Sequence, residues 1–182
     1  MRTLVLGGIR SGKSRWAEEA IATALPAGEP VRYLAPGPPG SDDAAWAHRV
    51  AAHRDRRPAH WSTVENTDLA AELRGSPGTP TLVDDLGGWL TGTLDRNRAW
   101  EDDSAAGAVR DTVDDAVAAI GAFGATLVLV TPEVGLAVVP ATPAGRKFAD
   151  ELGELNQRVA QLCDRVVLVV AGQALPIKAP LG

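Results

Sequence analysis

The sequence predicts an α/β fold in which a mostly parallel sheet is flanked by helices. Three observations carry that expectation. Short aliphatic, β-branched runs alternate with segments of helical periodicity from end to end, the pattern of strands joined by right-handed crossover helices. The run Thr126 to Thr131 (Thr-Leu-Val-Leu-Val-Thr) is apolar almost throughout, as a central strand covered on both faces must be. A glycine-rich octet follows the first apolar run and opens the first helix, at the carboxyl end of a strand, where sheets of this class take their ligands.

The elements follow in order. Thr3 to Leu6 reads as the first strand and stops at Gly7-Gly8. Trp16, Ala17, Ala20, Ile21 and Ala24 then recur at helix spacing. Val31 to Leu34 makes a second strand, closed by Pro36-Gly37-Pro38-Pro39-Gly40, which continues neither kind of regular structure. Ser41 or Asp42 can cap a helix running to about Arg54. A third strand, Thr81 to Val83, is introduced by the turn-forming residues 75–80. A long helix is expected from Asp103 to Phe123, with Val109, Val113, Ala116, Val117 and Ile120 on one face. After the central strand comes a helix with the stripe Phe148, Leu152, Leu155, Val159 and Leu162. Val166 to Val170 is a further buried strand, and Ala174 to Lys178 a short edge strand.

At 182 residues the chain is expected to form a single domain over 1–182, since domains average about 150 residues. Hydrophobic residues make up 45% and charged residues 23%, ordinary globular values. Eighteen Lys and Arg against 23 Asp and Glu give a net charge of −5, which argues against a nucleic-acid or anionic-membrane partner. The one cysteine, Cys163, cannot form an internal disulfide, so a reducing compartment is expected. The first apolar run is far short of the roughly 20 residues of a membrane span. Together these predict a cytoplasmic protein without a membrane span.

Gly7-Gly8-Ile9-Arg10-Ser11-Gly12-Lys13-Ser14 satisfies G-x-x-x-x-G-K-[ST] between a strand and a helix, the context this pattern requires. The fold is therefore expected to be of the P-loop (RecA-like) kind. Glycines let successive backbone N–H groups point inward at phosphate oxygens, and the helix N-terminus adds partial positive charge. Lys13 is expected at the β- and γ-phosphates and the Ser14 hydroxyl on Mg²⁺. The loop alone does not choose a reaction, because kinases, GTPases, helicases and transporters share it.

A second acid is expected at the end of a buried strand, and Asp84-Asp85 follows Thr81-Leu82-Val83. Either carboxylate suits the metal, its water, or the proton of an attacking hydroxyl; Asp85 suits equally the N-cap of a helix over Leu86 to Leu90. Asp84-x-x-Gly87 also matches the D-x-x-G switch of GTPases, but no N-K-x-D guanine motif accompanies it.

His48, His53 and His60 are the histidines, and their spacing, with no acidic or cysteine partner at zinc intervals, does not suggest a metal set. His53 stands beside Arg54, Asp55, Arg56 and Arg57. A neutral imidazole attacking phosphorus while guanidinium groups neutralise phosphate oxygens would use that arrangement. A solvated basic turn would show the same composition, and composition alone favours it.

Taken together, these residues resemble the bifunctional adenosylcobinamide kinase/adenosylcobinamide-phosphate guanylyltransferase family of cobalamin biosynthesis. The octet with Arg15 and Ala17-Glu18 looks like that family's opening. Arg49 to Trp61 is similar to its R-[IV]-x-x-H-x-x-x-R-P-x-x-W segment. Thr63-Val64-Glu65, Leu82-Val83-Asp84, Glu133-Val134-Gly135 with Val139-Pro140, and Asn156-Gln157-Arg158 through Gly172 and Lys178 follow in the family's order. The resemblance implies two activities. ATP or GTP phosphorylates the aminopropanol hydroxyl of adenosylcobinamide; GTP then donates GMP, through a guanylylated histidine, to give adenosylcobinamide-GDP and pyrophosphate. The guanylylated histidine falls on His53, which reverses the composition-based preference. Arg54, Asp55, Arg56, Arg57, Glu65, Asp84 and the loop Ala35-Pro36-Gly37 fall at the nucleotide site. A homotrimer and one antiparallel strand, at the C-terminal edge, are also implied.

The chain departs from the family pattern in places. Ala35-Pro36-Gly37 stands where Ala-Thr is frequent, Gly87-Gly88 where Thr-Leu is typical, Pro132 where Asn usually precedes Glu-Val-Gly, and Ala45-Trp46 where an acid and Met are common. None of these replaces Lys13, Ser14, His53 or Asp84. The rival expectations are a single-activity P-loop kinase of another small alcohol and, more weakly, a regulatory GTP switch.

Overall fold

A computed structural model of the chain describes residues 1–37 and 57–179. The helix expected from Ser41 or Asp42 to about Arg54 lies outside the described residues. Within them the strands are β1 (Arg2–Gly7), β2 (Arg32–Leu34), β3 (Ser62–Val64), β4 (Thr81–Asp84), β5 (Leu127–Pro132), β6 (Arg165–Val170) and β7 (Gln173–Lys178). The helices are α1 (Lys13–Ala24), α2 (Leu69–Gly75), α3 (Leu86–Arg96), α4 (Ala106–Ala122) and α5 (Pro143–Leu162).

The strands form one sheet in the order β3-β2-β4-β5-β1-β6-β7. Every neighbouring pair is parallel except β6 and β7, which are antiparallel. This is the mostly parallel P-loop type sheet expected from sequence, with its antiparallel strand at the C-terminal edge. The β6–β7 connection is a tight hairpin in which Ala171 (φ 50°) and Gly172 (φ 78°) both adopt left-handed backbone, as a two-residue turn matched to strand twist requires.

The two faces of the sheet carry separate apolar layers. On one, Leu4, Leu34, Val83, Leu127 and Leu129 pack with Trp89, Leu90, Ile120, Leu152 and Leu155 from the helices after β3. On the other, Val5, Tyr33, Leu82, Val128, Val130 and Val167 pack with Ala17 and Ile21 of α1. Each of these leucines is at most 1% exposed, and burying one such side chain contributes about 1.5–3 kcal/mol. Leu4 and Val5 face opposite layers, so β1 is apolar on consecutive residues, as a doubly covered strand must be.

Three parts differ from the sequence expectation. β3 is a three-residue edge strand, Ser-Thr-Val, with too short an apolar alternation to read. α2 is seven residues long and starts at Asp68, whose side chain accepts a hydrogen bond from the Ala71 N–H at 2.9 Å; a single cap with one turn of apolar residues gives little periodicity. The long helix expected at Asp103 opens instead with a 3-10 turn, Asp103–Ala105, and turns α-helical at Ala106.

Candidate nucleotide site

Those predicted site residues that are described lie at or near the carboxyl ends of β1, β2, β3 and β4. Gly7 ends β1 and Lys13 begins α1, so the octet bridges them. A Cβ on Gly7 would lie 2.4 Å from Ser11 Oγ and 2.9 Å from the Val169 carbonyl oxygen; only glycine lets the loop fold back this tightly. Arg10 (φ 54°) and Gly12 (φ 93°) are left-handed, and such residues alternating with right-handed ones gather N–H groups into an anion-binding concavity. The Ser11 N–H donates to the Gly8 carbonyl at 3.3 Å. Ile9 is 94% exposed, so the loop's outer side is open to solvent.

The loop is braced from behind by the β6–β7 turn. The Gly172 N–H donates to the Ser11 carbonyl at 2.8 Å, and a Cβ on Gly12 would stand 3.3 Å from Gly172 Cα. The Glu133 N–H donates to the Gly7 carbonyl at 3.2 Å. Two distant segments thus hold the backbone of the octet in place.

Ser14, in the first turn of α1, donates its hydroxyl to Asp84 Oδ1 at 3.2 Å. This joins the octet to the last residue of β4, two strands away in the sheet. Lys13 reaches back to the Gly8 carbonyl, with Nζ 3.3 Å from the oxygen. A hydroxyl and a carboxylate in contact form a hard-oxygen pair of the kind that holds Mg²⁺ together with substrate phosphates, so the residues present fit that ion. Among the described residues no cluster of three or more His, Cys, Asp or Glu could hold a metal by itself.

Asp84 and Asp85 have separate surroundings, and Asp85 makes the N-cap contact that the sequence offered for it. They are joined by a cis peptide bond. Asp85 is the N-cap of α3, its Oδ1 accepting from the Gly88 N–H at 2.7 Å. Burial, and then the negative charge of Asp84, hold the Asp85 carboxyl above the usual range, partly offset by the Gly88 hydrogen bond and by Lys13. Asp84 instead turns toward Ser14 and toward Tyr33, whose phenol donates to Asp84 Oδ2 at 2.5 Å. Burial, reinforced by Asp84, pushes the Tyr33 phenol far above its ordinary range, so it is a neutral donor at physiological pH.

Arg57 stacks on the same tyrosine, its guanidinium carbon 3.3 Å from the ring centroid. Its Nη1 donates to Thr63 Oγ1 of β3 at 2.8 Å. Ala35 continues from β2, its N–H donating to the Val64 carbonyl at 2.9 Å. Pro36 is buried and Gly37 half-buried beside α3, where a Cβ on Gly88 would be 3.5 Å from Gly37 Cα. Glu65 directly follows β3 and is exposed. His53, Arg54, Asp55 and Arg56 lie outside the described residues, as do His48, Ala45 and Trp46; His60 is exposed.

Other residues of the recognised pattern have structural partners instead. Asn156 is buried, accepting from Thr131 Oγ1 at 2.7 Å and donating to the Pro132 carbonyl at 3.0 Å. Arg158 pairs with Asp114 at 2.6 Å. Lys178 caps the end of α5, its Nζ 2.6 Å from the Cys163 carbonyl oxygen. Sequence reading missed Tyr33 and the Gly172 brace. The single tyrosine of the chain, inside a short strand, was the available signal for the first; a glycine placed for a hairpin turn was the signal for the second.

Comparison with known proteins gives a consistent result. Residues 3–177 match the family described as cobinamide kinase / cobinamide phosphate guanyltransferase. The chain is 40% identical over 181 residues to the bifunctional adenosylcobalamin biosynthesis protein CobP of Pseudomonas aeruginosa, covering 98% of each. It is 37% identical over 188 residues to the bifunctional adenosylcobalamin biosynthesis protein CobU of Salmonella typhimurium, covering 98% of this chain and 100% of that protein. Among solved structures it shares a TM-score of 0.42 and 15% identity with the P4 protein of bacteriophage phi6 in complex with ADP, over 96% of this chain and 53% of that one, so it spans about half of that chain's length.

Proposed function

The chain belongs to the cobinamide kinase / cobinamide phosphate guanyltransferase family, and from that premise we propose how its residues divide the two reactions. As a member of that family it is an enzyme, bifunctional like its named relatives. Adenosylcobinamide is the first acceptor, with ATP or GTP as phosphate donor. The acceptor hydroxyl oxygen attacks the γ-phosphorus, the bond to the β–γ bridging oxygen breaks, and a nucleoside diphosphate leaves. The loop 7–14 cradles the phosphates with Gly7, Gly8, Ile9, Arg10, Ser11 and Gly12, and Lys13 neutralises developing charge. Ser14 and Asp84 hold Mg²⁺, which supplies charge neutralisation on the transferring phosphate when bound. Asp84 also takes the hydroxyl proton.

In the second reaction the neutral His53 ring attacks the α-phosphorus of GTP. A P–N bond forms, the bond to pyrophosphate breaks, and a phosphate oxygen of adenosylcobinamide phosphate then displaces the imidazole to give adenosylcobinamide-GDP. Arg54, Arg56 and Arg57 offset charge on the α-phosphate, while Asp55, Glu65 and the Ala35–Gly37 loop complete the nucleotide site. The working form is a cytoplasmic homotrimer of one-domain subunits.

The observation that carries the kinase half is the Ser14–Asp84 contact at 3.2 Å, which brings the Ser14 hydroxyl to the member of the Asp84-Asp85 pair that is not engaged as a helix cap. Among the described residues no helix is long and apolar enough to cross a membrane. Mass spectrometry after incubation with GTP and Mg²⁺ tests the transferase half. The expected result is acid-labile GMP on the His53 peptide of the wild type and none in His53→Ala, with cobinamide phosphorylation retained in both. Folded, nucleotide-binding wild type without the adduct would overturn the covalent step, and a His53→Ala variant that changes little would return the chain to a single-activity P-loop kinase.

A further inference from the structure

We propose that Tyr33 is a positioning residue for the phosphoryl-transfer site: its phenol fixes the orientation of the Asp84 carboxylate, and its ring face holds Arg57 against the same corner. The inference rests on the reading of Asp84 as the carboxylate that holds the metal.

The geometry divides the two oxygens of Asp84. Oδ1 takes the Ser14 hydroxyl at 3.2 Å and Oδ2 takes the Tyr33 phenol at 2.5 Å. The second contact is the shorter, and hydrogen bonds to an ionised acceptor are shorter and stronger than neutral ones. Ser14 belongs to the octet, at the start of α1; Tyr33 lies in β2. Tyr33 is 2% exposed and its backbone is paired with Leu82 of β4, two residues before Asp84. Its ring is packed in the layer formed by Val5, Ile21, Leu82 and Val130. A rigid ring rooted in the neighbouring strand leaves its hydroxyl little freedom, so Oδ2 stays tethered while Oδ1 is free to exchange the serine hydroxyl for a cation.

The other face of the interaction is Arg57. Its guanidinium lies 3.3 Å from the ring centroid, while its Nη1 is held by Thr63. Its Nε is buried with no hydrogen-bond partner among the described residues, so at that atom the guanidinium is held by the aromatic face, a contact that strengthens when desolvated. One side chain therefore joins β4, through Asp84, to the end of the arginine-rich segment that contains His53.

Tyr33 is the one tyrosine of the chain, so the full-length protein labelled with [ζ-13C]tyrosine gives a single NMR resonance that reports this phenol. It is expected to move on adding Mg²⁺ with a non-hydrolysable GTP analogue, and to be displaced already without ligand in Asp84→Asn. In Tyr33→Phe, with an unchanged thermal melt, Mn²⁺ affinity measured by EPR in the presence of the analogue is expected to fall about tenfold, the effect of one charge-assisted hydrogen bond. The kcat for phosphorylation should fall with it while the nucleotide KM stays within about twofold. Unchanged Mn²⁺ affinity in folded Tyr33→Phe, or a resonance insensitive to Asp84→Asn, overturns the inference. If Asp84→Asn weakens Mn²⁺ binding and Tyr33→Phe does not, this inference alone falls; if Asp84→Asn leaves Mn²⁺ binding intact, the reading of Asp84 falls first.

Discussion

Gly87→Ala offers a test in which a rule of local stability and the tertiary structure predict opposite signs. Gly87 lies in the first turn of α3, three residues beyond Asp84. By helix propensity, replacing a helical glycine with alanine stabilises by up to about 1 kcal/mol. An alanine Cβ here, however, would stand 2.7 Å from Pro132 Cγ and 2.8 Å from Pro132 Cδ, about 1 Å inside ordinary contact. The proline ring is tied to the backbone of β5 and cannot swing aside, and the Pro132 carbonyl is itself held by Asn156. Overpacking of this kind costs about 1–3 kcal/mol, which exceeds the propensity gain. The net expectation is a loss of about 1 kcal/mol, or a melting temperature lower by roughly 2–4 °C at this chain length.

Pro132→Ala removes both clashing atoms. In that background Gly87→Ala should become neutral or stabilising, giving a coupling of about 1–3 kcal/mol between the two positions. Urea unfolding followed by circular dichroism on the four proteins of the cycle measures it. Equal effects of Gly87→Ala in both backgrounds would refute the reasoning. Positions 87 and 132 are both departures from the family pattern, and their contact supplies a physical reason for finding them together: the missing side chain at 87 is the room that the proline ring fills.

Two further outcomes follow from the described geometry. Gly172 has φ 78° and open space around its absent Cβ, so Gly172→Val should destabilise by about 1–2 kcal/mol through backbone strain alone. Gly172→Asn should cost less, because asparagine tolerates left-handed backbone, and the order of their urea midpoints and nucleotide dissociation constants checks that the Gly172–Ser11 brace acts through conformation. Burial pushes the Cys163 thiol up to about 12, and its side chain lies in the core. The folded state therefore keeps the proton to higher pH than the unfolded chain, whose thiol titrates near about 8.5. This contribution to stability is complete below about pH 8.5 and declines as pH rises toward 12. A disulfide reagent at pH 8 should leave native protein unmodified and label it on unfolding; labelling of the native form at the unfolded rate would contradict the burial.

The fold was legible wherever its signal is local. The octet, the two-sided apolar strands, the stripe of α5 and the final edge strand all announce themselves within a few residues, because helix and strand periodicity and glycine backbone freedom act at short range. β3 and α2 were not legible, since a three-residue edge strand and a seven-residue helix owe their form to the neighbours they pack on. The family relationship too was readable in the linear order of Gly7 to Ser14, Arg49 to Trp61 and Glu133 to Gly135, and the match over residues 3–177 agrees with it.

What the sequence by itself determined is thus the set of groups on offer: a glycine-rich octet of the G-x-x-x-x-G-K-[ST] pattern, a pair of strand-end carboxylates and a histidine among arginines. Tertiary structure alone decided which carboxylate makes which contacts. Asp84 and Asp85 are adjacent and chemically identical, yet one caps α3 while the other meets Ser14 from 70 residues away and Tyr33 from 51 residues away. Periodicity carries no information over such separations. Contacts of that kind are set by strand order and register, which arise only when the two apolar faces of the sheet are buried together.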